Sequence, residues 1–356
     1  MKKRLPELTV ASVLFTIVTI FSRNYWADKA SAIKASTASA DASTSTAEIA
    51  IYQPTAGDQL IRDARTQLER RASVTARVRQ QVSLGDRQLR GIGGYWQQGG
   101  VDELLVRLEL QIVGEESSLL QVCTGRFLWT DERLPTGRSI TRLDLRKLRN
   151  EAMRATDDFE GLESGPNGWP QVPPDLSLRY GGLSSLLAAL ADSFAFSPPQ
   201  SMRWTPNPPL EGMPASIPVF AVVGKWRPEA LAAIEPKLTD VDATELSNRL
   251  VTLPERMPQE VLVLFGQSDL FPYRIEFRKQ LGQPPAAGER IAPLQLSGDP
   301  LVCIEFEAVS YSAALAAGQF DYLPGDAKFD DDTAEHLEKI RLQRAEKVAS
   351  RRREQQ

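Results

Sequence analysis

The chain is nearly devoid of cysteine and histidine. Among 356 residues there are two cysteines, Cys123 and Cys303, and a single histidine, His336. Two distant cysteines are too few for a disulfide scaffold and lack the clustered spacing of a zinc site. One histidine in a charged C-terminal run argues against a histidine base, so no catalytic residue is assigned, no enzyme activity is expected, and neither is a cofactor or a metal. Excess charge of either sign is missing too. The net charge is −4, with acids and bases interspersed, which gives no basic field for nucleic acid. The apolar run Leu8–Phe21 is about 14 residues. As a helix it rises roughly 21 Å, short of the ~30 Å hydrocarbon core of a bilayer.

That run still carries a message. Lys2, Lys3 and Arg4 precede it, the basic-then-apolar order of an export signal. Ala30-Ser31-Ala32 supplies a small-x-small cleavage site, while Tyr25-Trp26 suits an interfacial anchor, so cleaved signal and retained anchor both stand for residues 1–26. Either places the rest outside the cytoplasm, in the periplasm or cell envelope, the retained form held at the inner membrane. Residues 27–55 are rich in Ala, Ser and Thr and are expected to form a flexible leader.

What the chain has in quantity is two-residue alternation. Val74, Ala76 and Val78 are separated by polar residues, as are Val106, Leu108, Leu110 and Ile112. That period puts one set on each face of a half-buried antiparallel strand. Strands are predicted near 73–83, 88–98, 102–113, 118–123, 126–131 and 139–145, with turns at Gly85-Asp86, Gly99-Gly100 and Gly125. Ahead of them, Leu60, Ala64 and Leu68 form one stripe of a helix over 58–71.

After Leu145 the pattern changes. A short helix is predicted over 147–154, then a Gly/Pro-rich loop over 161–174. The very apolar stretch Gly182–Phe196 reads as a helix ended by Pro198-Pro199. Strand grammar resumes at Val219–Trp226, Val261–Phe265, Tyr273–Arg278 and Val302–Val309, with acidic and basic positions read as the wet face. One continued sheet is expected, with 147–255 as a helical insertion. Phe320–Phe329 reads as a last short strand and turn, Asp330–Asp332 as a solvated acidic run, and 333–356 as a charged helical tail. Cys123 shares its phase with Gln121 and Cys303 with Glu305, so both thiols are expected to face outward, unpaired.

The segments SVTARVRQQV, GYWQQGG, LLVRLELQIV, LQVCTGRFLWT, YRIEFRK, VCIEFEAVSY and FDYLPGDAKFDDDT, in this order, resemble the periplasmic outer-membrane lipoprotein carrier (LolA-like) family over about 56–332. The resemblance implies an α+β fold, a strongly curved antiparallel sheet forming an incomplete barrel with helices on its concave face. It implies a non-enzymatic carrier or chaperone whose partners are lipid or lipoprotein acyl chains, with a membrane partner protein left open. The apolar phase of the strands then names the groove: Val106, Leu108, Leu110, Phe127, Trp129, Phe277, Ile304 and Phe306. Trp96 and Trp226 are further aromatics that could stack beside a guest. No arginine here falls on a matching motif for the family's functional one. The long Pro-rich segment 147–255 also departs from a simple carrier. An envelope scaffold or protein-binding module on the same fold, without lipid, is the alternative.

Overall fold

The computed structural model describes residues 55–84, 87–99, 104–157, 182–206, 216–228, 230–231, 257–278, 300–311, 315–338, 340–342 and 345. The signal or anchor and most of the leader lie outside the described residues, as does the loop expected over 161–174. No helix among the described residues is long and apolar enough to cross a membrane.

Helix α1 (Ala56–Glu69) comes first. It starts where Thr55 and Asp58 cap each other. The Thr55 amide donates to Asp58 Oδ2 at 2.8 Å, and the Gly57 and Asp58 amides donate to Thr55 Oγ1 at 3.1 and 3.2 Å. This reciprocal cap satisfies amides that the first helical turn leaves without partners, and it starts the helix two residues earlier than the apolar stripe alone predicts.

Strands β1 (Ser73–Leu84), β2 (Arg87–Gln98), β3 (Leu105–Ile112), β4 (Ser118–Thr124), β5 (Phe127–Leu134) and β6 (Gly137–Asp144) follow. Helices α2 (Leu145–Asp157) and α3 (Gly182–Ser193) come next. Then come β7 (Phe194–Phe196), β8 (Gln200–Trp204), β9 (Ile217–Trp226), β10 (Glu260–Gly266), β11 (Pro272–Arg278) and β12 (Val302–Ser310). A 3-10 turn at Ala317–Phe320 and β13 (Asp330–Asp331) close the order, and residues 333–338 and 340–342 are helical. Hydrogen bonds link the strands as β13-β6-β5-β4-β3-β2-β1-β12-β11-β10-β9-β7, with β8 also on β9. The fold is α+β, with a large, mostly antiparallel sheet that does not close on itself. Only β13 on β6 is recorded as parallel among the registered pairs.

Three expectations are corrected here. The stretch 147–255, read as a helical insertion apart from the strand at Val219–Trp226, also contributes strands β7 and β8 to the sheet. Helix α3 ends at Ser193, and Phe194–Phe196 instead pairs with Trp226, Lys225 and Gly224. Aromatic residues fit a pleated surface better than a helix flank, and the partner strand decides the matter. Phe320–Phe329 is not a strand: it is a turn segment, and the strand that follows is made of Asp330 and Asp331 themselves.

Two compact units divide the described residues, one drawn from within 1–67, 80–89 and 187–305, the other from within 68–79, 90–186 and 306–356. In the first, Asp58 is the polar hub. Its Oδ1 accepts the Phe196 amide at 3.2 Å and the Arg227 guanidinium at 3.1 Å, and the side chain is 1% exposed. Trp204, Val219, Ala221, Leu262 and Leu264 form an apolar cluster there. In the second unit the cluster is Cys123, Leu128, Leu143, Leu145 and Leu148, with Val106, Leu337 and Ile340 packed against it.

Candidate functional site

Register fixes which side chains share a face, because residues directly opposite across a ladder point the same way. In the second unit Val106 lies between Gln97 and Cys123, Leu108 between Tyr95 and Gln121, and Leu110 between Gly93 and Leu119. Leu128 and Leu143 continue that face through β5 and β6. The side chains of Val106, Leu108 and Leu110 make one apolar row along β3.

Strand β3 has neighbours on both sides, yet Leu105 to Leu110 are all half-buried rather than sealed. On β2 the glycines Gly91 and Gly93 stand opposite Ile112 and Leu110 in the same phase and carry no side chain. They leave Leu110 without a side-chain neighbour on the β2 side, while Leu119 of β4 and Ile112 are buried beside it. A β-carbon on Gly93 would lie 1.7 Å from the Glu109 carbonyl oxygen, so glycine is required by the close approach of β2 to β3.

A polar latch closes the other end. Tyr95 Oη donates to Gln97 Oε1 at 2.5 Å and accepts the Leu183 amide of α3 at 3.1 Å. The tyrosine is fully enclosed, and burial raises its hydroxyl well above the ordinary range, so it stays a neutral donor. Gly182, at φ +58°, lets the chain enter α3 beside Tyr95 and Val106, where a β-carbon would lie 2.4 Å from Tyr95 Oη. Phe306 meets Tyr95 edge-on, with ring centroids 6.0 Å apart.

The structure does not gather all eight sequence-predicted groove residues. Val106, Leu108 and Leu110 share the row described, and Phe306 contacts it through Tyr95. Phe127 and Trp129 are on the opposite face: Trp129 aligns with Val122 and Arg142, and Val122 with Arg107. In the first unit Ile304 pairs with Ile275 and Phe277 with Val302, one apolar face of β11 and β12. Phe277 and Phe306 are buried and Ile304 is half-buried. Tyr95, Gln97 and Gly182 escaped sequence reasoning, because a tyrosine in a strand and a glycine before a helix are ordinary until register joins them.

On the opposite face Trp129 is covered. Its indole packs against Tyr322 at 5.4 Å and Phe329 at 5.1 Å, while the Arg142 guanidinium lies over Phe127 and Phe329 at 5.0 and 4.8 Å. Tyr322 Oη donates to Asp131 Oδ2 at 3.1 Å, and Arg138 clasps the same carboxylate through two bonds of 2.9 and 2.7 Å. Hydrogen bonding to Arg138 holds the Asp131 carboxyl below the usual range. The acidic run at 330–332 is therefore not simply solvated: Arg142 reaches Asp331 at 2.5 Å, and Asp330 and Asp331 pair with β6.

The alternating charges of β11 and β12 are also not a wet face. Glu276 is 0% exposed, and Arg278, Glu305 and Glu307 are buried. Arg274 bonds both Glu276 and Glu305, Arg278 bonds Glu276, and Arg79 bonds Glu307. Opposite charges paired across strands can be buried together where single ones cannot. Cys303 shares that face and is buried beside them, contrary to the outward placement its phase suggested. Cys123 is buried as well, and both thiols are free. Burial pushes the Cys303 thiol up to about 12 and also raises Cys123. Neither is expected to react with a disulfide reagent at pH 8 while the chain is folded. Both should react after unfolding in guanidinium, and a thiol titration with and without denaturant checks this.

Among the described residues no group of three or more His, Cys, Asp or Glu side chains could hold a metal ion.

No protein-family model matches the chain, and no curated protein matches it. Among solved structures it is similar to an uncharacterized conserved protein from Thermus thermophilus, at 11% identity and a TM-score of 0.35, over 77% of this chain and 98% of that one. It is similar to a putative outer membrane lipoprotein-sorting protein domain from Vibrio parahaemolyticus, at 9% identity and a TM-score of 0.28, over 74% and 96%. A third similar structure is the Mycobacterium tuberculosis lipoprotein LppX, at 9% identity and a TM-score of 0.32, over 72% and 96%. Likenesses this faint leave the function to be argued from the chain's own residues.

Proposed function

We propose that this chain is a non-enzymatic binding protein of the cell envelope that holds an acyl chain, of a lipid or a lipoprotein, along the Val106–Leu108–Leu110 row. The observation that carries this reading is β3 itself. It is an interior strand whose Val106, Leu108 and Leu110 remain half-buried, with Gly93 as the β2 neighbour of Leu110. An apolar row left partly open is a surface awaiting a cover, since monomeric proteins seldom leave such surface uncovered without a use.

The physics suits a flexible apolar guest. Each methylene removed from water contributes about 0.8 kcal/mol, so a chain of ~15 carbons gains roughly 12 kcal/mol of shielding. The Tyr95–Gln97–Leu183 latch would fix where helix α3 begins, beside Val106 at one end of the row. The basic-then-apolar N-terminus supports export, with cleavage or anchoring both compatible with the proposal.

Titration of the full chain with a fluorescent long-chain fatty acid tests it. Saturable binding that a short-chain analogue fails to displace is expected. A probe that stays in water at all protein concentrations would overturn the reading and favour a scaffold without lipid.

A further inference from the structure

The turn 321–329, on the face of the second unit opposite the β3 row, is held far more firmly than its composition requires. Both of its ends pack on one indole: Tyr322 and Phe329 lie against Trp129. Tyr322 is tied to Asp131, Arg107 donates to the Gln319 carbonyl at 3.1 Å just before the turn, and β13, directly after the turn, pairs with β6. Within it the Ala327 amide donates to the Pro324 carbonyl at 3.3 Å, and Gly325 adopts φ +64°. A β-carbon at Gly325 would meet nothing within 4 Å, so the tip stands clear of the molecule.

What this rigid tip displays is Leu323, 89% exposed, more than any other large apolar residue among those described. A leucine on a braced turn adds little backbone ordering entropy to the cost of docking when a partner covers it. Along residues 321–330 the exposed charges are Asp321, Asp326 and Asp330 against Lys328, and the exposed Arg138, which shares Asp131 with Tyr322, is matched by that carboxylate. That rim repels an anionic membrane surface and complements a basic one.

We infer that Leu323 is a docking knob for a second protein, one offering an apolar socket bordered by Lys or Arg side chains. The site is distinct from the β3 row and independent of whether that row holds lipid. A carrier and a lipid-free scaffold could each use it.

A random peptide library panned against the full chain tests the inference. Enriched peptides are then titrated against the wild-type chain, Leu323→Asp, Leu323→Ser and, as a control, Leu342→Asp, whose leucine is 58% exposed on the C-terminal helical stretch. The expected result is a shared apolar residue flanked by Lys or Arg, with binding weakened about tenfold or more by both Leu323 variants and not by the control. It should also weaken as salt rises from about 50 to 300 mM. Peptides that bind both Leu323 variants as tightly as wild type would overturn the proposal. So would no enrichment above background, or Leu323-dependent association with phosphatidylglycerol vesicles in place of peptide binding. Because the leucine is almost wholly in solvent, both Leu323 variants should keep the wild-type melting temperature, which separates lost docking from lost folding.

Discussion

Replacing Asp58 by alanine is expected to lower the unfolding free energy by about 3–5 kcal/mol, seen as a large drop in the urea midpoint with little change in slope. The carboxylate is buried and accepts from the Thr55 amide, the Phe196 amide and the Arg227 guanidinium, while the single Thr55 hydroxyl proton is shared between it and the Phe196 carbonyl. Its loss removes the cap of α1 and leaves a guanidinium and a strand amide without their shared acceptor. The methyl group of alanine replaces none of this. Asp63, exposed on the same helix and bonded only to Gln59 among the contacts described, is the control. Asp63→Ala should stay within about 0.5 kcal/mol of wild type.

The second large effect is on binding. Leu108→Glu should weaken the fatty-acid probe about a hundredfold while leaving the fold intact. Leu108 is at the middle of the apolar row, between Tyr95 and Gln121. A carboxylate there must be desolvated by the guest or exclude it, at a cost of several kcal/mol, and each 1.4 kcal/mol is tenfold in affinity. The leucine is only half-buried, so its replacement disturbs packing much less than a core substitution does. Gln111→Glu, exposed on the same strand and on the other face, should bind the probe as wild type does.

Much of the sheet was legible because alternation is a direct consequence of strand geometry. The bounds predicted for β1 to β4 and for β9 to β12 differ from those observed by a few residues at most. What alternation cannot supply is the absolute face. In β5 both phases carry large apolar groups, with Phe127 and Trp129 in one and Leu128 in the other. Only pairing with Arg142 and Leu143 shows that the tryptophan looks away from the β3 row. The same ignorance of partners misled the reading of β11 and β12. Glu276 and Glu305 look solvated by type, but each meets an arginine across or along the sheet, and the pairs are buried together. Cys303 followed Glu305 into that error, and Cys123 followed the polar Gln121 although it faces Val106. At Phe194–Phe196 the local composition continued a helix, and β9 supplied a ladder the sequence could not show. The candidate site was legible in its aliphatic half. Its polar latch joins Tyr95 to Leu183, residues far apart in sequence, and no local signal marks such a pair.

The central claim is that a guest acyl chain lies along β3. Photo-crosslinking of a diazirine-bearing fatty acid to the full chain, followed by peptide mass spectrometry, reads this directly. Adducts concentrated on Val106, Leu108, Leu110 and the facing residues of β2 and β4 are the predicted result. Adducts confined to the Trp129 face, or spread without preference over the surface, would contradict it.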